Sequence, residues 1–286
     1  MTRRNLLAAA GTAMAIARTS AAADVRSGYA PVNGLKMYYE IQGSGEPLIL
    51  MHGGLGSTGM YAPVLPALAA VRQVIAVDLQ GHGRTADIDR PLRLEQRAGD
   101  VAALLKHLGI ARADMMGYSL GGGVAIRTAI QYPATTRKVV VISACCKRSG
   151  WYPEVLAAMS QIGPQAAEPM KQSPIYQAYA AVAPRVPDWP TLVGKMGELL
   201  RQDYDWSREV AAIKAPAMLA FGDADAVRPT HSVEFFELLG GGKREGGWDG
   251  SGISSARLAI LPGLTHYNTF SSPALISLVA SFLQSR

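Results

Sequence analysis

With 286 residues, 49% hydrophobic and 17% charged, the chain has the make-up of an ordinary globular protein. That excludes disordered and fibrous classes and leaves room for one large α/β domain with an insertion, or at most two small domains. Its formal charge of +6 is inflated by Arg3, Arg4 and Arg18 at an end without acidic residues; removing those three from 28 basic residues against 22 acidic ones leaves +3, and with no long Lys/Arg run elsewhere a nucleic-acid role finds no electrostatic footprint.

Residues 1–23 read as an export signal: a basic start, an apolar stretch over 6–16, then Ala21-Ala22-Ala23 ahead of Asp24. The segment Thr2-Arg3-Arg4-Asn5-Leu6-Leu7 resembles a twin-arginine signal, with an ordinary secretory signal as the alternative. The apolar run is too short for a permanent bilayer span. The expectation is a periplasmic or secreted protein with no stable membrane anchor.

Strands are predicted over 35–41 and 47–51, separated by Gly43-Ser44-Gly45. The second enters His52-Gly53-Gly54-Leu55-Gly56, whose glycines allow backbone amides to face a reaction centre. A helix over 61–70 and a strand over 74–77 lead to Asp78-Leu79-Gln80-Gly81-His82-Gly83-Arg84-Thr85. The amphipathic helix predicted over 94–108 carries His107 beside Lys106, the pattern of a surface histidine.

The strand predicted over 114–117 ends in Gly117-Tyr118-Ser119-Leu120-Gly121 and a helix over 120–131. A serine between two glycines at a strand-to-helix junction has the form of a nucleophile elbow, a strained turn that leaves Oγ beside the first N–H groups of the helix. Alone this pattern is weak; a small-residue turn would read the same way. A strand over 138–143 follows, then the only cysteines, Cys145 and Cys146, read as small, partly buried side chains at a strand end, with a vicinal disulfide as the alternative. Without a nearby histidine they make a poor metal site, and no metal is expected.

Residues 147–214 contain no good strand and are rich in Pro, Ala, Met and aromatic residues, which predicts a helical cap over the sheet's carboxyl edge. The core is then 24–146 plus 215–286. Trp151, Tyr152 and Tyr176, together with Trp248 from the glycine-rich stretch 240–252, are candidates for a substrate pocket; packing of cap against core is the competing role for such aromatics. That stretch itself reads as a mobile loop.

The strand over 217–221 runs into Gly222-Asp223-Ala224-Asp225-Ala226, and both aspartates are candidate acids. Asp225 is favoured, because Asp223 directly follows the strand and suits hydrogen bonding to turn amides. After a helix over 232–239 and a strand over 258–261 comes Gly263-Leu264-Thr265-His266-Tyr267, before a final helix over 273–283. Serine needs a base to become a nucleophile at neutral pH. His52 and His82 lie in glycine-rich loops ahead of the serine and His231 starts a helix close to the acid, which leaves His266. Strands alternating with helices imply a mainly parallel sheet with right-handed crossovers.

Together these segments resemble the α/β-hydrolase family over essentially everything after residue 23: the His52–Gly54 loop, the Asp78–Thr85 stretch with Thr85 at the usual Ser, the elbow, the acid loop at 222–229 and the histidine loop at 263–267, in the order Ser, Asp, His. Gln80 departs from the arginine common there. The resemblance implies an eight-stranded sheet flanked by helices, a cap inserted after the sixth strand, and the triad Ser119, Asp225 and His266. Backbone N–H groups of Gly54 and Leu120 would form the oxyanion hole.

The expected activity is cofactor-free hydrolysis of a small carboxylic ester or lactone through an acyl-enzyme. Carbon–carbon bond hydrolysis, amidase or aminopeptidase activity and perhydrolysis are alternatives on the same fold, and a non-catalytic ligand-binding relative is the alternative from another class.

Overall fold

The computed structural model describes residues 25–285, so the expected export signal lies outside the described residues. Eight strands form one sheet: β1 (Arg26–Val32), β2 (Leu35–Gln42), β3 (Pro47–Met51), β4 (Gln73–Val77), β5 (Ala113–Tyr118), β6 (Thr136–Ile142), β7 (Ala217–Ala224) and β8 (Ala256–Thr265). Their spatial order is β1-β2-β4-β3-β5-β6-β7-β8. Only the β1–β2 and β2–β4 pairs are antiparallel. The other pairs are parallel, in agreement with the alternating pattern.

Covered faces explain the apolar runs. In β3, Ile49 and Met51 join one core together with Val101 and Leu104 of α2 (Leu94–His107) and Val124 of α3 (Leu120–Gln131). Leu48 and Leu50 point the other way, onto Leu68 and Leu275. These residues belong to α1 (Leu65–Ala69) and to the last helix, Pro273–Gln284. Side chains alternate across a strand, so a strand buried on both sides has to be apolar at every position. Truncating a buried Ile or Leu of this kind to Ala typically costs about 2–5 kcal/mol.

Between β6 and β7 the chain is helical: α4 (Pro153–Ser160), α5 (Pro164–Met170), α6 (Pro174–Ala180), α7 (Trp189–Arg201) and the single turn α8 (Ser207–Val210). Helices α9 (Pro229–Leu238) and α10 (Pro273–Gln284) complete the set. Five of these helices begin on proline, whose fixed φ suits the first turn and whose missing N–H is not needed there. Helix α7 buries Trp189, Leu192, Val193, Met196 and Leu199 on one stripe. That stripe packs with Ala167 and Tyr179, and the Trp189 indole donates to the Ala167 carbonyl at 2.9 Å. From the same helix, Lys195 Nζ reaches Asp87 Oδ2 at 2.6 Å and the Ile88 and Arg90 carbonyls, tying the insertion to the core.

Some local expectations change. The helix expected over 61–70 is a 3-10 turn at Thr58–Tyr61 followed by the short α1, because Pro63 and Pro66 each remove a helical N–H. Strand β8 runs to Thr265, four residues past the expected end, despite Pro262 and Gly263; it is the last strand of the sheet, where proline is tolerated.

Candidate active site

Ser119 sits between β5 and α3 with φ 51° and ψ −114°, a left-handed strained backbone for a residue with a side chain. The surroundings hold it there. Its N–H donates to the Ile142 carbonyl at 2.9 Å, and its carbonyl accepts from Gly123 N–H at 3.0 Å. The flanking glycines are required by contact: a Cβ on Gly117 would lie 2.0 Å from the Gly121 carbonyl oxygen, and one on Gly121 would lie 2.2 Å from that of Met51. Backbone passes where side chains cannot, and this is what aims Oγ away from the sheet.

His266 follows β8, and its Nε2 lies 3.1 Å from Ser119 Oγ. Its Nδ1 lies 3.0 Å from Asp225 Oδ1. The Asp225 carboxylate also accepts from Ser143 Oγ, from Gly222 N–H at 3.2 Å and from Val227 N–H at 3.2 Å. Burial alone would push this carboxyl up, but the His266 contact and charge, with Ser143 and Gly222, outweigh it and hold the group below its ordinary value. Asp225 is therefore a carboxylate at neutral pH, and an imidazole beside it keeps its proton on Nδ1, leaving Nε2 with a lone pair toward Ser119. Asp223 takes the turn role, accepting from Gly263 N–H at 2.8 Å.

Tyr118 supports the histidine from below: its hydroxyl donates to the His266 carbonyl at 2.8 Å, with the rings 5.1 Å apart. Burial, with the Asp225 charge nearby, raises this phenol well above its usual range, so it remains a donor. On the other side the Trp151 ring meets His266 edge-on at 5.5 Å.

The Gly54 amide lies in a turn after β3, and no described residue accepts a hydrogen bond from it. Leu120 opens α3, where the first N–H groups have no partner within the helix. Gly54, Leu120, Ser119 and His266 all line one cavity. His52 anchors the Gly54 loop: its Nε2 accepts from Leu79 N–H at 3.0 Å and its Nδ1 contacts the Gly53 carbonyl at 2.7 Å. Burial lowers its pKa to about 4, so it is a neutral structural link. Asp78 is likewise occupied, accepting from Thr58 and Arg84 N–H at 2.7 Å each. At the departure noted at Gln80, the amide donates to Asp87 and its oxygen accepts from Arg90 Nε at 2.6 Å, which answers how that loop is held.

The cavity measures about 1330 Å³, above the roughly 300–1,000 Å³ of ordinary small-molecule sites. Its walls are mostly apolar, including Met159, Ile162, Tyr179, Met196 and Leu199. Of the four expected pocket aromatics only Trp151 lines it. Tyr176 and Tyr179, one helical turn apart, both pack on Trp189, at 5.3 and 5.0 Å, and of the two only Tyr179 lines the cavity. Tyr152 lies outside the cavity, where its N–H donates to the Ala226 carbonyl at 3.2 Å. Trp248 is fully exposed in the loop between α9 and β8. The cysteines are both free and buried, but a histidine does approach: Cys146 N–H donates to His231 Nε2 at 3.3 Å, a contact across 85 residues that spacing could not suggest.

Ser143 and Tyr118 escaped the sequence reading. Both adjoin recognised motifs, yet nothing in residue type distinguishes a serine that holds the acid from one that merely ends a strand.

A family model for the alpha/beta hydrolase fold matches residues 46–235. The chain belongs to the α/β-hydrolase family. As a member, it is 27% identical over 220 residues to RutD of Azorhizobium caulinodans, named as a carbamate hydrolase, with 71% of this chain and 82% of that protein covered. Two solved α/β folds superpose on it. The carboxylesterase CesB of Bacillus subtilis gives a TM-score of 0.69 at 21% identity, covering 91% of this chain and 92% of that one. The enol-lactonase of Burkholderia xenovorans LB400 gives 0.68 at 24%, covering 90% and 100%.

Proposed function

We propose that this α/β-hydrolase family member is a serine hydrolase that cleaves a carboxylic ester or lactone through an acyl-enzyme intermediate. The observation that carries the reading is the unbroken chain from Ser119 Oγ through His266 to Asp225, at 3.1 and 3.0 Å, opening into a large apolar cavity. His266 Nε2 takes the Ser119 proton as Oγ attacks the acyl carbon. The oxyanion forms against the Leu120 and Gly54 amides, His266 returns the proton to the leaving oxygen, and water then repeats the cycle to release the acid. Family membership and hydrolase relatives support hydrolysis in general. The ester or lactone is favoured by the apolar lining, and a carbamate is the second acyl class to assay because of the RutD match.

The test is a fluorophosphonate probe followed by intact mass, with turnover of p-nitrophenyl esters and lactones. A single adduct on Ser119 and loss of turnover in Ser119→Ala are expected; activity retained in the folded variant would end the assignment. We further propose that residues 1–23 direct export, with Asp24 as the first residue of the secreted form. Amino-terminal sequencing of protein from a periplasmic fraction checks this.

A further inference from the structure

One charged side chain in the cavity wall is partly buried and has no counterpart among the described residues. Arg148 lines the cavity half-buried, and its guanidinium makes no hydrogen bond or ion pair with any described residue. Its Nε is shut off from solvent without a partner. The other charged wall residues do not share this condition. Glu95 pairs with Arg127 at 3.5 Å, Asp205 accepts from Ser207, and Arg93, Glu154 and Asp203 are exposed at the rim.

Backbone contacts hold Arg148 in place. Its N–H donates to the Tyr204 carbonyl at 2.9 Å, Lys147 bridges to Asp205, and Trp151 bridges to Val227 while its ring touches His266. A cation on an anchored stretch of backbone therefore stands on the segment that also touches the base. Closing the guanidinium Nε off from water without a partner is unfavourable, whereas the planar fork matches a carboxylate in two parallel hydrogen bonds.

Building on the hydrolase reading, we propose that Arg148 determines specificity by pairing with a carboxylate carried by the substrate, so that the preferred substrate is an apolar ester or lactone with one anionic group away from the scissile bond. The apolar wall takes the body of the molecule, and Arg148 fixes its orientation relative to Ser119.

Two measurements test this. Calorimetry on Ser119→Ala compares hexanoate with hexanamide, which reports on Arg148 whether or not the protein turns over any ester. Kinetics then compare p-nitrophenyl monoesters of glutaric, adipic and suberic acids with the matching neutral pentanoate, hexanoate and octanoate, and 4-carboxyphenyl with phenyl hexanoate. The anionic member is expected to bind better, and to show higher kcat/KM in one of the two ester series, by about ten- to hundredfold. Arg148→Met should erase the preference through KM, leave neutral esters within about twofold, and keep fluorophosphonate labelling; Arg148→Lys should restore part of it. Labelled protein that treats anionic and neutral ligands alike, or a preference that survives Arg148→Met, overturns the proposal. Absence of labelling would instead count against the hydrolase reading, and the calorimetric comparison would still decide the role of Arg148.

Discussion

Asp225→Asn is the substitution that most sharply separates the parts of the proposed machinery. The wild-type carboxylate is fully buried and receives hydrogen bonds from His266, Ser143, Gly222 and Val227. An amide of the same shape offers one accepting oxygen and one donating nitrogen. If the oxygen faces His266, the nitrogen confronts the Gly222 N–H, two donors now 3.2 Å apart. If the amide turns over, its nitrogen faces His266 Nδ1, the imidazole proton must move to Nε2, and no lone pair remains for Ser119. Either arrangement leaves a buried polar group unsatisfied or inverts the tautomer, and the outcome is a loss of about 10³- to 10⁴-fold in kcat/KM, or about 4–5.5 kcal/mol at the transition state. Stopped-time hydrolysis of a p-nitrophenyl ester, with the fluorophosphonate labelling rate alongside, measures it. Folded Asp225→Asn within tenfold of wild type would refute the role assigned to this carboxylate.

Ser143→Ala removes one of four donors and leaves the tautomer intact, so kcat/KM should fall only about tenfold, with KM little changed, in the same ester assay. Gly121→Ala drives a methyl into the Met51 carbonyl, and because backbone cannot step aside the cost should be about 3 kcal/mol, lowering Tm by about 6–12 °C in a melting scan. The Asp225 carboxyl is held below its ordinary 3.8 in the folded chain, so the stability it contributes is present above that value and is lost as pH falls through the lowered one. Asp225→Asn should therefore lose less Tm than wild type between pH 5 and 2, an interval set by that direction.

Much of the site was legible because its geometry leaves marks on residue type. Gly117 and Gly121 touch backbone at distances that admit only hydrogen, so a serine between glycines is visible in one dimension. Asp223 and Asp225 separate on turn chemistry, and the structure places Asp223 on the Gly263 amide. The strands showed as apolar runs because both faces are covered. The edge strand β1 did not, since Gly28 and Pro31 break the pattern and five of its seven residues are not buried; even with the sheet complete it reads as loop. Pocket-lining aromatics were the least readable. Tyr176 and Tyr179 share a helix, and only the direction in which each faces Trp189 and the cavity tells them apart.

The segment that carries Arg148 and Trp151 does not simply hang over the sheet. Gly150 accepts from Arg228 N–H at 2.9 Å and Tyr152 N–H donates to Ala226, so the entry of the insertion is sewn to the loop that carries Asp225, while Trp206 N–H donates to Cys146 and sews the exit to that entry. Transplanting an insertion from another hydrolase at its outermost residues would tug on the acid along with the pocket. Recombination points for tailoring this protein belong inside the stitching, after residue 152 and before residue 204, where exchange can reshape the walls without disturbing the chemistry beneath them.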